Sequence, residues 1–246
     1  MTNLCTKRRS EQGFTLVELA IVMVIIGLLI GGILKGQELI ANAKISSTVS
    51  QLKGLDAAMN TFNDKYNAVP GDMISPNTRL PGCNGTPCST AGNGDSKIST
   101  PAFGTFPTAG SEASNVFVHL SAADLVNGID PAGSSITFGK MLPTVKAGGG
   151  LWVSYNPTTV GSTGVVGGKH YAILNGSTGA ITGTSGALNA TTAAQIDRKL
   201  DDGKPNTGSF NVDPTSTGCT SGNNNNMVYD EANNAGTCAA YSRVLN

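Results

Sequence analysis

Glu18 is the one ionisable side chain in the apolar run from Phe14 to Leu34, where it stands fifth of 21 residues. As a helix, at about 1.5 Å per residue, such a run reaches across a hydrocarbon core. A carboxylate costs about 2.5–3.5 kcal/mol near the middle of a span and less toward its end. A buried charge that loses its partner costs about 3–5 kcal/mol, so Glu18 calls for a cation. Three other sets of residues have chemistry to offer. They are the acids Asp197, Asp201 and Asp202 in "IDRKLDDGKP", the histidines His119 and His170, and five cysteines at 5, 83, 88, 219 and 238.

The segment around Glu18 has three readings. The basic stub Lys7, Arg8 and Arg9 with the small-x-small triplet Ala41-Asn42-Ala43 suits a removable signal peptide, but the apolar run is too long for one and contains a charge. A plain membrane anchor explains the length and the cytoplasmic basic flank, yet leaves Glu18 unexplained. The stretch "GFTLVE" after a short charged leader resembles the cleavage and methylation site of type IV pilins and type II secretion pseudopilins. That resemblance covers about residues 8–70. It implies that an inner-membrane prepilin peptidase cuts between Gly13 and Phe14 and methylates the new Phe14 amine, so the apolar segment is kept. It also gives Glu18 the family's assembly role, in which the Phe14 amine of one copy sits against Glu18 of its neighbour and fixes the axial register.

Beyond the apolar run, Ile45, Val49, Leu52, Leu55, Met59, Phe62 and Tyr66 recur at spacings of three and four. That is an amphipathic helical stripe, predicted to pack on the chain's own sheet. The whole helix is expected from about Thr15 to Tyr66, with Pro70-Gly71 as the stop. Gly27, Gly31, Gly32 and Gly36 lower its propensity by about 1 kcal/mol each and permit close helix approach. Residues 73–110 read as a long loop, and 111–127 as one or two short helices with Ser121 and Asp124 at capping-box spacing. "LWVSY" (151–155) and "KHYAILN" (169–175) are strand-like. "TTAAQIDRKLD" (191–201) reads as a helix with Thr192 and Gln195 at capping-box spacing, and 206–246 as an Asn/Thr/Gly-rich tail.

With 13% charged residues and 16 basic against 16 acidic, bulk positive charge for nucleic-acid binding is excluded. Thirty-two glycines and 5% aromatics point to a loop-rich body with a small core. Cys5 precedes the cut. The four cysteines beyond the membrane suit an oxidising compartment and allow three pairings, of which proximity along the chain favours Cys83–Cys88 and Cys219–Cys238. A zinc site fails on spacing, with no C-x-x-C and histidines 51 residues apart. Acids in the last turn of a helix oppose its dipole, which calcium at Asp197, Asp201 and Asp202 would reverse. An Asp-Gly turn with Arg198, Lys199 and Lys204 as counter-charges accounts for the same residues without an ion. The spacing is not that of an EF-hand, and both readings stay open. His119, in "VFVHL", and His170, in a strand, read as ordinary core or surface histidines.

These observations predict an α+β protein. A long N-terminal helix, half membrane-spanning and half amphipathic, packs on a C-terminal antiparallel sheet head with loops and disulfides. The divisions are a leader (1–13), the helix (14–66, with 14–34 in the membrane or filament core) and the head (67–246). No nucleophile motif, phosphate loop or paired-carboxylate spacing stands out, so a non-enzymatic structural subunit is expected. The resemblance implies a self-assembling helical polymer with the prepilin peptidase and an inner-membrane assembly platform as partners. It implies residence in the bacterial inner membrane before assembly and in an extracellular pilus or periplasmic pseudopilus after it. The 233 residues that follow Gly13 suit a pilin better than a compact pseudopilin. A monomeric membrane-anchored binding protein is the alternative from another class.

Overall fold

In the computed structural model, the described residues are 13, 15–130, 135–158, 165–223, 226–233 and 237–245. Two compact units divide the chain, Met1–Ala43 and Lys44–Asn246, and the first helix, α1 (Leu16–Tyr66), belongs to both.

In the first unit α1 is apolar all round, and its large aliphatic side chains from Leu16 to Ile40 are exposed. It is the one helix among the described residues long and apolar enough to cross a membrane. In the second unit the same helix is one-sided. Ile45, Val49, Leu52, Leu55, Met59 and Phe62 are buried, Tyr66 is half-buried, and the intervening Lys53 and Asp64 stay in solvent. Polar ties fix this half laterally: Ala147 N donates to Thr48 Oγ1 (3.2 Å), Gln51 Nε2 to the Thr144 carbonyl (2.9 Å) and Leu245 N to Asp56 Oδ1 (2.9 Å). The helix stops at Tyr66 because Asn67 turns into the left-handed region at φ 46°, the conformation that commonly closes a helix. The Arg79 guanidinium, from the short helix α2 (Pro76–Arg79), donates to the exposed Tyr66 carbonyl.

The head is built on a four-stranded antiparallel sheet of β1 (Gly150–Asn156), β2 (Lys169–Asn175), β3 (Phe210–Val212) and β6 (Ala240–Val244), ordered β1-β2-β6-β3. Register places Trp152 opposite Ile173 and Ile173 opposite Tyr241, so these residues share one face with Tyr171. That face is covered by loop aromatics: Phe106 and Phe138 against Trp152, and Phe103 against Tyr171 and Tyr241. The other face carries Leu151, Val153, Ala172 and Leu174. Leu151 lines an apolar cleft of about 290 Å³ with Leu55 of α1 and Phe117 of α3 (Glu112–Ala122). A helix α4 (Ala190–Leu200) and a two-stranded ribbon, β4 (Thr220–Ser221) with β5 (Val228–Tyr229), complete the head. Disulfides join Cys83 to Cys88 and Cys219 to Cys238.

The structure refines several local expectations. Of the one or two helices expected in 111–127 there is one, α3: Ser111 caps it by accepting from Ser114 N, and the chain leaves it at Ala123, before Asp124 at φ 59°. Ser121 lies inside α3 and caps nothing. Helix α4 is capped by Asn189, whose Oδ1 accepts from Thr192 N (2.8 Å), one turn earlier than the Thr192 spacing suggests. Among the described residues of 206–246 lie the strands β3 to β6, and β6 sits between β2 and β3 inside the sheet. The 73–110 loop contains α2 and is anchored by buried carboxylates. Asp72 accepts from Gly94 N (2.8 Å) and Ser96 N (2.7 Å), and Glu112 accepts from Ser99 N (2.8 Å).

Candidate processing and assembly site

The segment that bears the charged residue begins at the start of α1. Gly13 is exposed and outside the helix; Phe14, Cys5 and the leader up to residue 12 lie outside the described residues. Thr15 precedes the first helical residue, Leu16, and stands as its N-cap. Glu18 falls three positions on, and the two side chains reciprocate. Thr15 N and Thr15 Oγ1 both donate to Glu18 Oε2 at 2.8 Å, and Glu18 N donates to Thr15 Oγ1 at 3.3 Å. This is a capping box, in which two otherwise unpaired helix-terminal N–H groups are satisfied at once. A carboxylate in the first turn also faces the positive end of the helix dipole. Both bonds to the carboxylate fall on Oε2, so Oε1 takes no part in the box.

From Leu16 to Leu34 the helix offers a sleeve of exposed Leu, Ile, Val and Met side chains. Burying each of them fully is worth about 1.5–3 kcal/mol, a large driving force toward an apolar environment. A Cβ built on Gly27, Gly31, Gly32 or Gly36 would meet nothing within 4 Å, so no contact around them requires glycine. The sleeve ends at an exposed ion pair, Lys35 Nζ to Glu38 Oε2 at 2.7 Å.

The other candidates have local structural partners. Asp197 is fully buried and accepts from Tyr229 Oη (2.8 Å) and Gly203 N (3.3 Å). Burial lifts its pKa to about 6, the nearby Asp202 and Asp201 charges add to the rise, and the two hydrogen bonds oppose it. Asp201 accepts from Ser209 N, and Asp202 from Lys204 N (2.9 Å) and Thr207 Oγ1 (2.5 Å). The three acids thus serve three separate sets of donors. They do not converge as a ligand set. Among the described residues, the one His/Cys/Asp/Glu group close enough to share a metal is Cys83, Cys88 and His119. Its two sulfurs are bonded to each other.

His119 is a buried pin. Its Nδ1 accepts from Gly71 N (2.9 Å) and its Nε2 lies 3.0 Å from the Cys88 carbonyl, so the neutral ring with the proton on Nε2 joins α3, the turn after α1 and the first disulfide loop. Gly71 is held at φ 92°, and a Cβ there would come within 2.4 Å of the Glu112 carbonyl oxygen, so only glycine lets the turn approach α3. Burial drives the His119 pKa down to about 4 against the pull of the Cys88 carbonyl. His170 Nε2 accepts from Ile98 N (3.3 Å), and burial lowers its pKa to about 4 against the Asp95 charge.

Thr15 is the residue the sequence reading passed over. Its signal was present, since Thr15 and Glu18 have the T-x-x-E spacing of a capping box just ahead of an apolar run. Residues 8–34 match the prokaryotic N-terminal methylation motif, the hallmark of type IV pilins and pseudopilins. No curated protein and no solved structure was found to match the chain.

Proposed function

We propose that this chain is the precursor of a structural subunit of a type IV pilus-like filament. The reading is carried by one coincidence: the methylation motif at 8–34 overlies a helix whose apolar stretch is exposed on all sides, in a chain whose other helices bury their faces. The prepilin peptidase cuts between Gly13 and Phe14 and methylates the Phe14 amine. The subunit waits in the inner membrane, anchored by 14–34, until an assembly platform lifts it into a helical polymer.

In that polymer the sleeves pack against one another, and the Phe14 amine of one copy meets Glu18 of another. The contact fixes register more than it adds net stability, because desolvating both charges offsets most of their attraction. The capping box supports this role: it holds the Glu18 carboxylate at the N-terminal end of the helix and leaves Oε1 outside the box.

Two measurements test the reading. Mass spectrometry of the mature chain is expected to give N-methylated Phe14 as its first residue. Sheared cell-surface fractions are expected to contain long filaments of this chain under the electron microscope. A mature chain starting elsewhere than Phe14 removes the amine and overturns the proposal; filaments confined to the periplasm would assign the chain to a pseudopilus instead.

A further inference from the structure

The segment from Gly94 to Thr100 forms neither helix nor strand, yet buried side chains hold its backbone. Asp72 accepts from Gly94 N and Ser96 N, His170 Nε2 from Ile98 N (3.3 Å), and Glu112 from Ser99 N and Thr100 N (3.1 Å). The Ile98 carbonyl in turn accepts from Tyr155 N at 2.8 Å, near the end of β1. Burying two carboxylates and an imidazole costs free energy, and what these three fix is a surface loop. Loops held by a rigid scaffold are where binding residues concentrate.

A cleft of about 680 Å³ opens beside this loop, a size suited to a small molecule. It is lined by Asp95, Lys97 and Ser99 of the loop and by Phe103, Tyr155 and Asn156. Both aromatic rings are half-buried and backed by other rings. Phe103 packs on Tyr171 and Tyr241, and Tyr155 on His170, with centroids 5.1 Å apart. His170 thus fixes the cleft twice, through the Ile98 N–H and through the Tyr155 ring. Lys97 Nζ stands 5.6 Å from the Tyr155 centroid, and Asp95 Oδ1 accepts from Lys97 N (3.0 Å).

The two charged residues of the lining are of opposite sign, so the cleft has no net charge with which to select an ion. Its polar groups suit an acyl chain poorly, since each would lose water without gaining a partner. A pyranose answers both parts of the lining. Its C–H face is apolar and lies flat on a ring, while its hydroxyls donate to a carboxylate and accept from an ammonium. We propose that this cleft is a binding site for a neutral pyranoside, with Tyr155 or Phe103 as the stacking ring and Asp95 and Lys97 as the hydroxyl partners. The fixed loop and backed rings leave little to order on binding. All of these residues lie in the head, so the site is independent of polymerisation.

Saturation-transfer difference NMR on the detergent-solubilised full chain tests this, with methyl β-glucoside, methyl β-galactoside and methyl N-acetyl-β-glucosaminide as probes. Expected is transfer to the ring C–H protons of at least one probe, with a Kd on the order of 1 mM. Asp95→Ala is expected to weaken binding about tenfold, as loss of a hydrogen bond to a charged group does. Tyr155→Leu keeps apolar bulk without a stacking face and is expected to weaken it about threefold to tenfold, with Tyr155→Phe near wild type. Asp95 is exposed, so its variant decides the matter even where Tyr155→Leu fails to fold. Absence of transfer to all three probes overturns the proposal, and so does binding unchanged by Asp95→Ala.

Discussion

One helix, α1, meets two solvents. In its first half the aliphatic side chains point in every direction, and Leu28 is 73% exposed; in its second half they recur every three or four residues, and Phe62 is 0% exposed. Hydrophobicity without periodicity demands an apolar surround on all sides, which a bilayer or a bundle of like helices supplies. Hydrophobicity with helical period demands one apolar neighbour, which the sheet of the head supplies. The charges follow the same division. Glu18 is held by its own helix terminus, whereas Asp56 and Thr48 of the second half reach partners about 100 residues or more away in sequence.

The contrast is tested most severely at Glu18. With Glu18→Ala, once cleavage has gone to completion, filament yield is expected to fall by about a hundredfold or more, since the neighbour's amine is left without its partner. Quantitative immunoblots of sheared fractions measure it, and full-length filaments in normal amount would refute the assembly role. Next comes a matched pair of truncations in the two halves. Phe62→Ala is expected to cost the head about 3–5 kcal/mol in denaturant unfolding of the detergent-solubilised chain. Leu28→Ala is expected to stay within about 0.5 kcal/mol in the same assay, as an exposed substitution does. Equal losses from both would erase the distinction between the halves. Replacing Cys219 and Cys238 by serine should cost about 3 kcal/mol, given a sequence separation of 19 residues, and leave the first half untouched.

How legible the molecule was from its residues follows the same line. Helix α1 and its buried stripe could be read because helical period is local information, and strands β1 and β2 because long apolar runs announce a buried sheet. Strands β3, β4 and β5 are two or three residues each, and β6, "AYSRV", alternates small and polar residues with Tyr241 and Val244. Nothing local makes these extended; β6 is a strand because β2 and β3 flank it and because its Tyr241 meets Phe103 on one face. The loop at 73–110 was equally opaque, since what orders it is two carboxylates, Asp72 and Glu112, receiving backbone N–H groups from residues 12 to 24 positions away. At the site, "GFTLVE" carries the processing reading, and its Thr15 and Glu18 also hold the T-x-x-E spacing of the capping box that the structure forms.

The smallest effect expected is the most particular to the head. His119 and His170 are neutral in the fold, with pKa values lowered to about 4, so their contribution is present above pH 6.5 and is lost as pH falls toward 4. Asp197 acts in the opposite sense. Its pKa is raised to about 6, so its contribution is present at low pH and is lost as pH rises through about 6. Two groups against one give a net loss of stability on acidification, with each histidine removing about 1 kcal/mol between pH 7 and pH 5.5. His119→Gln keeps a hydrogen-bonding side chain and removes one titration, so its unfolding free energy should fall less steeply over that interval, by the share of one proton. Asp197→Asn should make the fall steeper, because the opposing group is gone. Both are read from denaturant midpoints across pH, with Leu28→Ala as the control that tracks wild type throughout. An acid loss unchanged by His119→Gln would mean that the ring is not the buried neutral pin that joins α3 to the Gly71 turn.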